Sequence, residues 1–309
     1  LRSIDNSDKE MMMHKNVQVK SQEAREFDFT PNDFARVRSL IYQHAGISLS
    51  EVKTDMVYSR IGRRLRALGI QSFKEYLDTL ERIDDPDEWQ AFTNALTTNL
   101  TSFFREEHHF PVLTEQLLSL KKPIRIWCSA ASTGEEPYSI AMTACEAFGT
   151  LKPPVEIIAT DIDTNVLATA TRGVYPYDRV SKLSEKRRKD FFQKGTGEQE
   201  GFVRVRSELR QLIQFSSLNL LDAQWPLHEP FDAIFCRNVM IYFDKPTQSK
   251  ILKRFVPLMK PHALLFAGHS ENFLYVSDDL HLRGKTVYEL KTTEHKSRSK
   301  AAVTGGHQS

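Results

Sequence analysis

Residues 124–142, IRIWCSAASTGEEPYSIAM, followed by IIATDID at 157–163, restrict the fold of this chain more than any other stretch. An apolar run, a turn on Gly134, a helical pattern and a second apolar run ending in acid specify a strand, a tight turn, a helix and a second strand. Such a unit opens a nucleotide-binding α/β sheet, with Asp161 where an acidic residue holds a ribose hydroxyl pair. Only one glycine stands where a dinucleotide-binding turn carries three, and Glu135 and Glu136 sit at the helix start. Carboxylates there repel a pyrophosphate. The expected ligand therefore has an adenosine-like ribose without phosphates, a description that S-adenosylmethionine fits. Single-glycine turns also occur in α/β proteins that bind no cofactor.

The 309-residue chain is 40% hydrophobic, enough for a sizeable core in one large or two modest domains. No apolar run reaches the roughly 18 residues needed to cross a bilayer. The start, LRSIDNSDKEMMMHKNV, has no apolar signal-peptide core, so a soluble cytoplasmic protein without membrane insertion is expected. Cys128, Cys145 and Cys236 show neither CxxC spacing nor a disulfide framework, and no metal site is expected. A net charge of +2 is too mild to announce a nucleic-acid binder.

Residues 1–26 and 292–309 are polar and aperiodic and read as disordered. Residues 27–100 read as an all-helical domain. Phe34, Val37 and Ile41, then Val57, Ile61, Leu65 and Leu68, recur at helical spacing, with Gly46 and Gly69 as stops. A linker and connecting helix fill 101–122. From 123 to 291, strands predicted at 124–130, 155–162, 212–218, 231–236, 264–268 and 286–290 alternate with helical segments, the pattern of a mostly parallel sheet covered on both faces. Residues 172–210 or thereabouts break this rhythm: KRRKDFF, GTGEQEG and the alternating FVRVRSEL predict a small antiparallel insert.

Ligands of such sheets lie beyond the carboxyl ends of the strands. Arg237, Asn238 and Tyr242 follow the fourth predicted strand, and Asn219 and Leu220 follow the third. An amide beside an apolar side chain suits an adenine edge and face, although either Asn could equally cap a turn. TTNLTSFFREEHHF, 97–110, places Asn99, Thr101 and Arg105 in a linker able to fold over the cleft, or else supplies an ordinary helix cap at Thr101 or Ser102. His108 and His109 are adjacent and cannot share a helix face, so they are not expected to pair on a metal. His269, Ser270 and Glu271 carry the residue types of a hydrolase triad but are neighbours in one loop, whereas triads are assembled from separate segments. Cys128 and Cys236 read as small buried hydrophobes.

TTNLTSFFRE, ASTGEEPYSIAM, ATDID, FDAIFCRNVMIYF and LLFAGHSENF together resemble the bacterial chemoreceptor glutamate methyltransferases, the CheR family, in the right order from about Phe34 to Leu290. The resemblance implies an amino-terminal helical domain joined to a Rossmann-like S-adenosylmethionine-dependent methyltransferase domain with a small antiparallel β-subdomain. It implies that Asn99, Thr101, Arg105, Glu136, Asp161, Asn219, Leu220, Arg237 and Asn238 surround S-adenosylmethionine, and its product S-adenosylhomocysteine, with Arg105 and Tyr242 as catalytic residues near the transferred methyl. Which of Glu135 and Glu136 faces the ligand is open at one residue's uncertainty in helix entry. A substrate glutamate is ionised at neutral pH, so no general base is required. The partners implied are methyl-accepting chemoreceptors. Arg60, Arg63, Arg64 and Arg66 would dock on the acidic helical bundle, and FVRVRSEL would add a receptor's carboxyl-terminal tether peptide to a sheet edge. Plain solvation of a basic face and a hairpin without a partner are the simpler readings. Two other functions compete. A nucleic-acid methyltransferase would commonly carry two prolines and an aromatic after an Asn or Asp where this chain has Asn238-Val239-Met240. A non-catalytic cofactor-binding module would not need Arg105 and Tyr242.

Overall fold

The computed structural model describes residues 25–291, so the expectations for residues 1–24 and 292–309 lie outside the described residues. Helix α1 (Pro31–Ala45) starts on a reciprocal Thr30/Asp33 capping box and stops at Gly46, φ 67°. Helix α2 (Thr54–Leu68) stops at Gly69, φ 70°, so both glycine stops expected from the sequence adopt the left-handed cap. With α3 (Phe73–Ile83) and α4 (Pro86–Leu96) these helices close around Val37, Ile41, Val57, Ile61, Leu65, Phe73, Leu77 and Phe92, all buried. The apolar stripes of the four amphipathic helices thus share one buried cluster.

Helix α5 (His109–Ser119) leads into a seven-stranded sheet of order β6-β2-β1-β7-β8-β10-β9. Its strands are β1 (Ile124–Cys128), β2 (Val155–Asp161), β6 (Ile213–Ser217), β7 (Phe231–Cys236), β8 (Met259–Ala267), β9 (Leu280–Gly284) and β10 (Val287–Leu290). The first five run parallel, and β10 is antiparallel to both β8 and β9. Helices α6 (Glu135–Phe148) and α7 (Thr164–Arg172) join α5 in covering one face, and α10 (Lys245–Phe255) packs on the other around Trp127, Ile234 and Leu265. Two differences from the expected strands stand out. β8 begins at Met259, five residues before the predicted run, and β9 was not expected at all. LHLRG alternates apolar and polar residues but carries only two leucines, Leu280 buried and Leu282 half-buried, too short an apolar signal to mark a strand; its place is set by a hairpin in which Lys285 and Thr286 both take positive φ.

The insert contains β3 (Val174–Pro176), β4 (Phe192–Lys194) and β5 (Phe202–Val205), with short helices α8 (Glu185–Phe191) and α9 (Ser207–Arg210). Its strand order is β3-β5-β4, all antiparallel. FVRV is therefore the central strand, paired on both sides, and the expectation that FVRVRSEL offers a free edge is corrected: its alternation reflects one face packed on the core, with Val203 and Val205 buried.

The helical domain sits over the carboxyl ends of the parallel strands. Ser48 N–H donates to the Tyr242 carbonyl at 2.8 Å, Asn219 Nδ2 to the His44 carbonyl at 2.8 Å, Gln90 Nε2 to the Ile162 carbonyl at 2.8 Å, and Tyr42 Oη to Asp244 at 2.6 Å.

Candidate functional site

Docking the helical domain on the strand ends leaves a cleft whose empty space, open mouth included, is about 970 Å³. Asn99, Thr101, Arg105, Glu136, Asp161, Asn219, Leu220, Arg237, Asn238 and Tyr242 all line it, so the structure brings together every residue expected at the cofactor and the reacting centre. Ala45, Ile47, Leu49, Lys53 and Leu96 line it too. These helical-domain residues escaped sequence reasoning because they carry no motif; they reach the cleft only through the packing of one domain on the other.

The turn between β1 and α6 is shaped by Gly134, φ 99°, where a Cβ would lie 2.8 Å from Tyr175 Oη and 2.9 Å from the Ala170 Cβ. Asp161, at the end of β2, accepts from Ser132 N–H at 2.8 Å and from Asp163 N–H at 2.9 Å, which ties the strand end to that turn. Burial pushes its carboxyl up to about 6 while the backbone donors oppose the rise. Each oxygen keeps a lone pair for a ligand hydroxyl.

At the start of α6 the two glutamates part. Glu136 lines the cleft, its Oε2 accepting from Arg237 Nη1 at 2.5 Å and its Oε1 from the Cys128 thiol at 3.3 Å. Glu135 turns away and is bound by Arg179 of the insert and by Thr133 Oγ1 at 2.6 Å. The repulsion of phosphate first ascribed to both carboxylates therefore rests on Glu136 alone. Cys128 and Cys236 are fully buried and burial pushes both thiols up, so they are inert fillers of the sheet core.

Arg237 is the hub of the floor. Its side chain is wholly buried; Nη2 donates to the Arg105 carbonyl at 2.5 Å and lies 3.3 Å from Glu106 Oε2. Burial works to raise the Glu106 carboxyl, but the His269 hydrogen bond and the Arg237 charge prevail and hold it down at about 2. Burial raises the Glu136 carboxyl while the Arg237 charge opposes the rise, so two acidic groups, Glu106 and Glu136, share one guanidinium in the floor. The loop that supplies Arg105 is strained: Phe104 and Glu106 have φ of 52° and 54°, unusual for residues other than Gly or Asn. Arg105 Nη1 donates to the Leu100 carbonyl at 2.8 Å.

Asn238, φ 60°, donates through Nδ2 to Glu106 at 3.3 Å, and Gly268 must be glycine because a Cβ there would meet that amide at 2.4 Å. Behind it, the Glu271 carboxylate accepts from the N–H groups of Gly268, Asn238, Val239 and Met240 at 2.5–3.0 Å, fixing the strand end that presents Asn238 and Tyr242. Glu271 was weighed only as a triad member; here it is a backbone clamp. Ser270 Oγ does lie 3.0 Å from His269 Nε2, and His269 Nδ1 lies 3.1 Å from Glu106, so adjacency did not keep the pair apart as expected. His108 likewise stands beside His109, ring centroids 4.2 Å apart, at the start of α5. With Glu106 their ligand atoms fall within 4.8 Å of one another, but the Arg237 guanidinium beside Glu106 opposes a cation there. Asn219 holds a turn, accepting from Leu221 N–H at 2.9 Å, as the simpler sequence reading had it, while also lining the cleft.

The all-alpha domain model of the CheR methyltransferases matches residues 32–97, and the S-adenosylmethionine-binding domain model of the same family matches residues 99–288. This chain belongs to the CheR methyltransferase family. It is 54% identical over 267 residues to chemotaxis protein methyltransferase 2 of Pseudomonas aeruginosa, covering 85% of this chain and 95% of that one. The chemotaxis protein methyltransferases of Salmonella typhimurium and Escherichia coli are 56% and 54% identical to it over 257 residues, covering 83% of this chain and 89% and 90% of theirs. The CheR-family chain is thus an S-adenosylmethionine-dependent methyltransferase of chemotaxis. Its cleft fits that cofactor: an acidic floor suits a sulfonium and an ammonium, the Asp161 oxygens suit a ribose, and the Leu218, Leu220 and Val239 side chains suit an adenine face.

Proposed function

We propose that this enzyme esterifies glutamate side-chain carboxylates on the cytoplasmic helical bundle of chemoreceptors, leaving glutamate methyl esters and S-adenosylhomocysteine. The observation that carries the reading is a reversal of charge along one cleft. The buried floor sets Glu136 and Asp161 against the single cation Arg237, whereas Lys53 and Arg105 are partly exposed and, among the described residues, carry no carboxylate partner in the cleft lining beside them, with the Lys53 ammonium 5.3 Å from the centre of the Tyr242 ring. A cationic cofactor and an anionic acceptor are thereby drawn to opposite ends of one space. The cofactor supplies an electrophilic methyl on sulfur. The chain's own task is to hold the acceptor oxygen in line and exclude water, because an ionised glutamate needs no general base. Arg105 steadies the carboxylate by charge-assisted hydrogen bonding, and the Tyr242 hydroxyl orients it.

Docking on the receptor falls to the exposed cations of α2. Arg63 and Arg66 are exposed, and among the described residues Arg66 pairs with Glu26 at 2.9 Å. Arg60 and Arg64 are poorer candidates, since Arg60 binds the Ala95 and Thr97 carbonyls and Arg64 forks onto Glu88. A receptor tether would add to β4. Gly195 N–H and the Phe191 carbonyl bond inward to the chain of β5, so Lys194 presents its N–H and carbonyl outward. On the other edge Pro176 occupies an outward position and has no N–H to give. No helix among the described residues is long and apolar enough to cross a membrane, so recruitment to receptor arrays would rest on these contacts.

Incubating the protein with methyl-labelled S-adenosylmethionine and receptor membranes, then treating with mild base, tests the reaction. Carboxyl esters release volatile methanol. Base-stable label, or no label, refutes the proposal. Tail peptides that show no binding in titration would remove the tether.

A further inference from the structure

The insert does more than stand beside the cleft; three of its side chains hold the cleft's walls. Tyr175 on β3 donates its hydroxyl to the Thr133 carbonyl at 2.7 Å, beside the glycine turn. Arg179 donates through Nη2 to the Thr101 carbonyl at 3.1 Å and through Nε to Glu135 Oε1 at 3.1 Å. Phe103, between Thr101 and Arg105, meets the rings of Tyr175 and Phe192 edge-on, with centroids 5.2 and 5.5 Å away. One guanidinium therefore joins the helix start that carries Glu136 to the loop that carries Thr101 and Arg105, and both segments line the cofactor cleft.

We propose that Arg179 is a positioning residue for the cofactor: it sets the spacing between the Thr97–Arg105 loop and the start of α6, and with it the affinity for S-adenosylmethionine. This rests on the reading that the loop contacts the cofactor. Arg suits the task because its planar fork serves two acceptors on different segments at once, which a lysine ammonium on a flexible stem does poorly. The competing account is that Arg179 only neutralises Glu135, whose side chain is wholly buried, and so supports the fold without reaching the site.

A set of variants separates the two. Arg179→Ala is expected to weaken cofactor binding roughly tenfold in a calorimetric titration, raising the cofactor KM more than it lowers kcat, with Arg179→Lys falling between it and the parent. Combining Arg179→Ala with Glu135→Gln removes the unpaired buried charge, so the melting temperature should recover while cofactor binding stays weak. Parental affinity in that double variant overturns the positioning role. Arg105→Ala, titrated alongside, addresses the underlying reading by itself. If it binds the cofactor as tightly as the parent, and Asn99→Ala does too, the loop does not contact the cofactor and the proposal falls with that reading. If it binds weakly while the double variant binds normally, only the role of Arg179 is lost.

Discussion

Arginine–carboxylate pairs occur in two very different regions of this molecule. In the cleft floor, the Arg237 side chain is 0% exposed and bridges Glu136 and Glu106. On the helical domain, Arg66 pairs with Glu26 where both side chains are 54% exposed. The chemistry is the same and the solvent is not. A dry pair cannot exchange partners with water, so it locks geometry and leaves an uncompensated charge when cut. A wet pair is screened by salt and contributes little to stability, which leaves its cation free to meet a partner. Arg64 stands between these limits, forked onto Glu88 at partial exposure, and belongs to the scaffold of the helical domain rather than to its docking face.

Cutting the dry hub should give the largest effect. Arg237→Ala is expected to destabilise the protein by about 3–5 kcal/mol in denaturant titration and to abolish measurable cofactor binding, since Glu136 and Glu106 are left buried without a counter-charge. A loss near that of a surface pair would erase the distinction between the two regions. Next comes Asp161→Asn, expected to weaken cofactor binding about 10- to 100-fold through loss of charge-assisted hydrogen bonds. Its pH behaviour sharpens the point. With the folded carboxyl raised to about 6 by burial, the ionised acceptor is lost as pH falls through that value, so cofactor affinity should drop below pH about 6 in the parent and stay flat in the variant. The sign for folding is opposite: keeping Asp161 ionised costs stability above that pH, and the cost is relieved on acidification.

Tyr242→Phe should have a smaller effect, lowering kcat by about tenfold with cofactor affinity unchanged, the worth of one hydrogen bond to a charged group. Equal losses in kcat and cofactor binding would place Tyr242 in the cofactor wall instead. Charge reversal at Arg63 and Arg66 should shift stability by less than about 1 kcal/mol and raise the receptor KM severalfold at low salt, the difference fading as salt rises. Salt-independent kinetics identical to the parent's would show that this wet face docks nothing.

The helical domain was readable because amphipathic periodicity and glycine stops are local signals: Val57, Ile61 and Leu65 turned up buried together, and Gly46 and Gly69 capped their helices. The inner parallel strands β1, β2 and β7 were readable because strands covered on both faces are apolar nearly throughout. Strand β9 was not, since Leu280 and Leu282 alone give too short an alternation and the strand is placed by a hairpin and by pairing with β10. In the insert, alternation in FVRV showed a strand with one buried face but could not say whether its edges were free, because pairing partners are a property of the sheet and not of the strand.

The same division runs through the site. Sequence alone determined the residues that one chain segment can offer at a strand end: Asp161 after β2, Asn219 and Leu220 after β6, Arg237 and Asn238 after β7, which converge in any sheet of this topology. The tertiary structure alone decided which of two adjacent glutamates looks into the cleft. Glu135 and Glu136 are chemically identical and one residue apart, so the choice falls to the charges that meet them: Arg179, 44 residues downstream, takes the first, and Arg237, 101 residues downstream, takes the second. Buried carboxylates go where a cation can neutralise them, and only the folded chain sets where those cations stand.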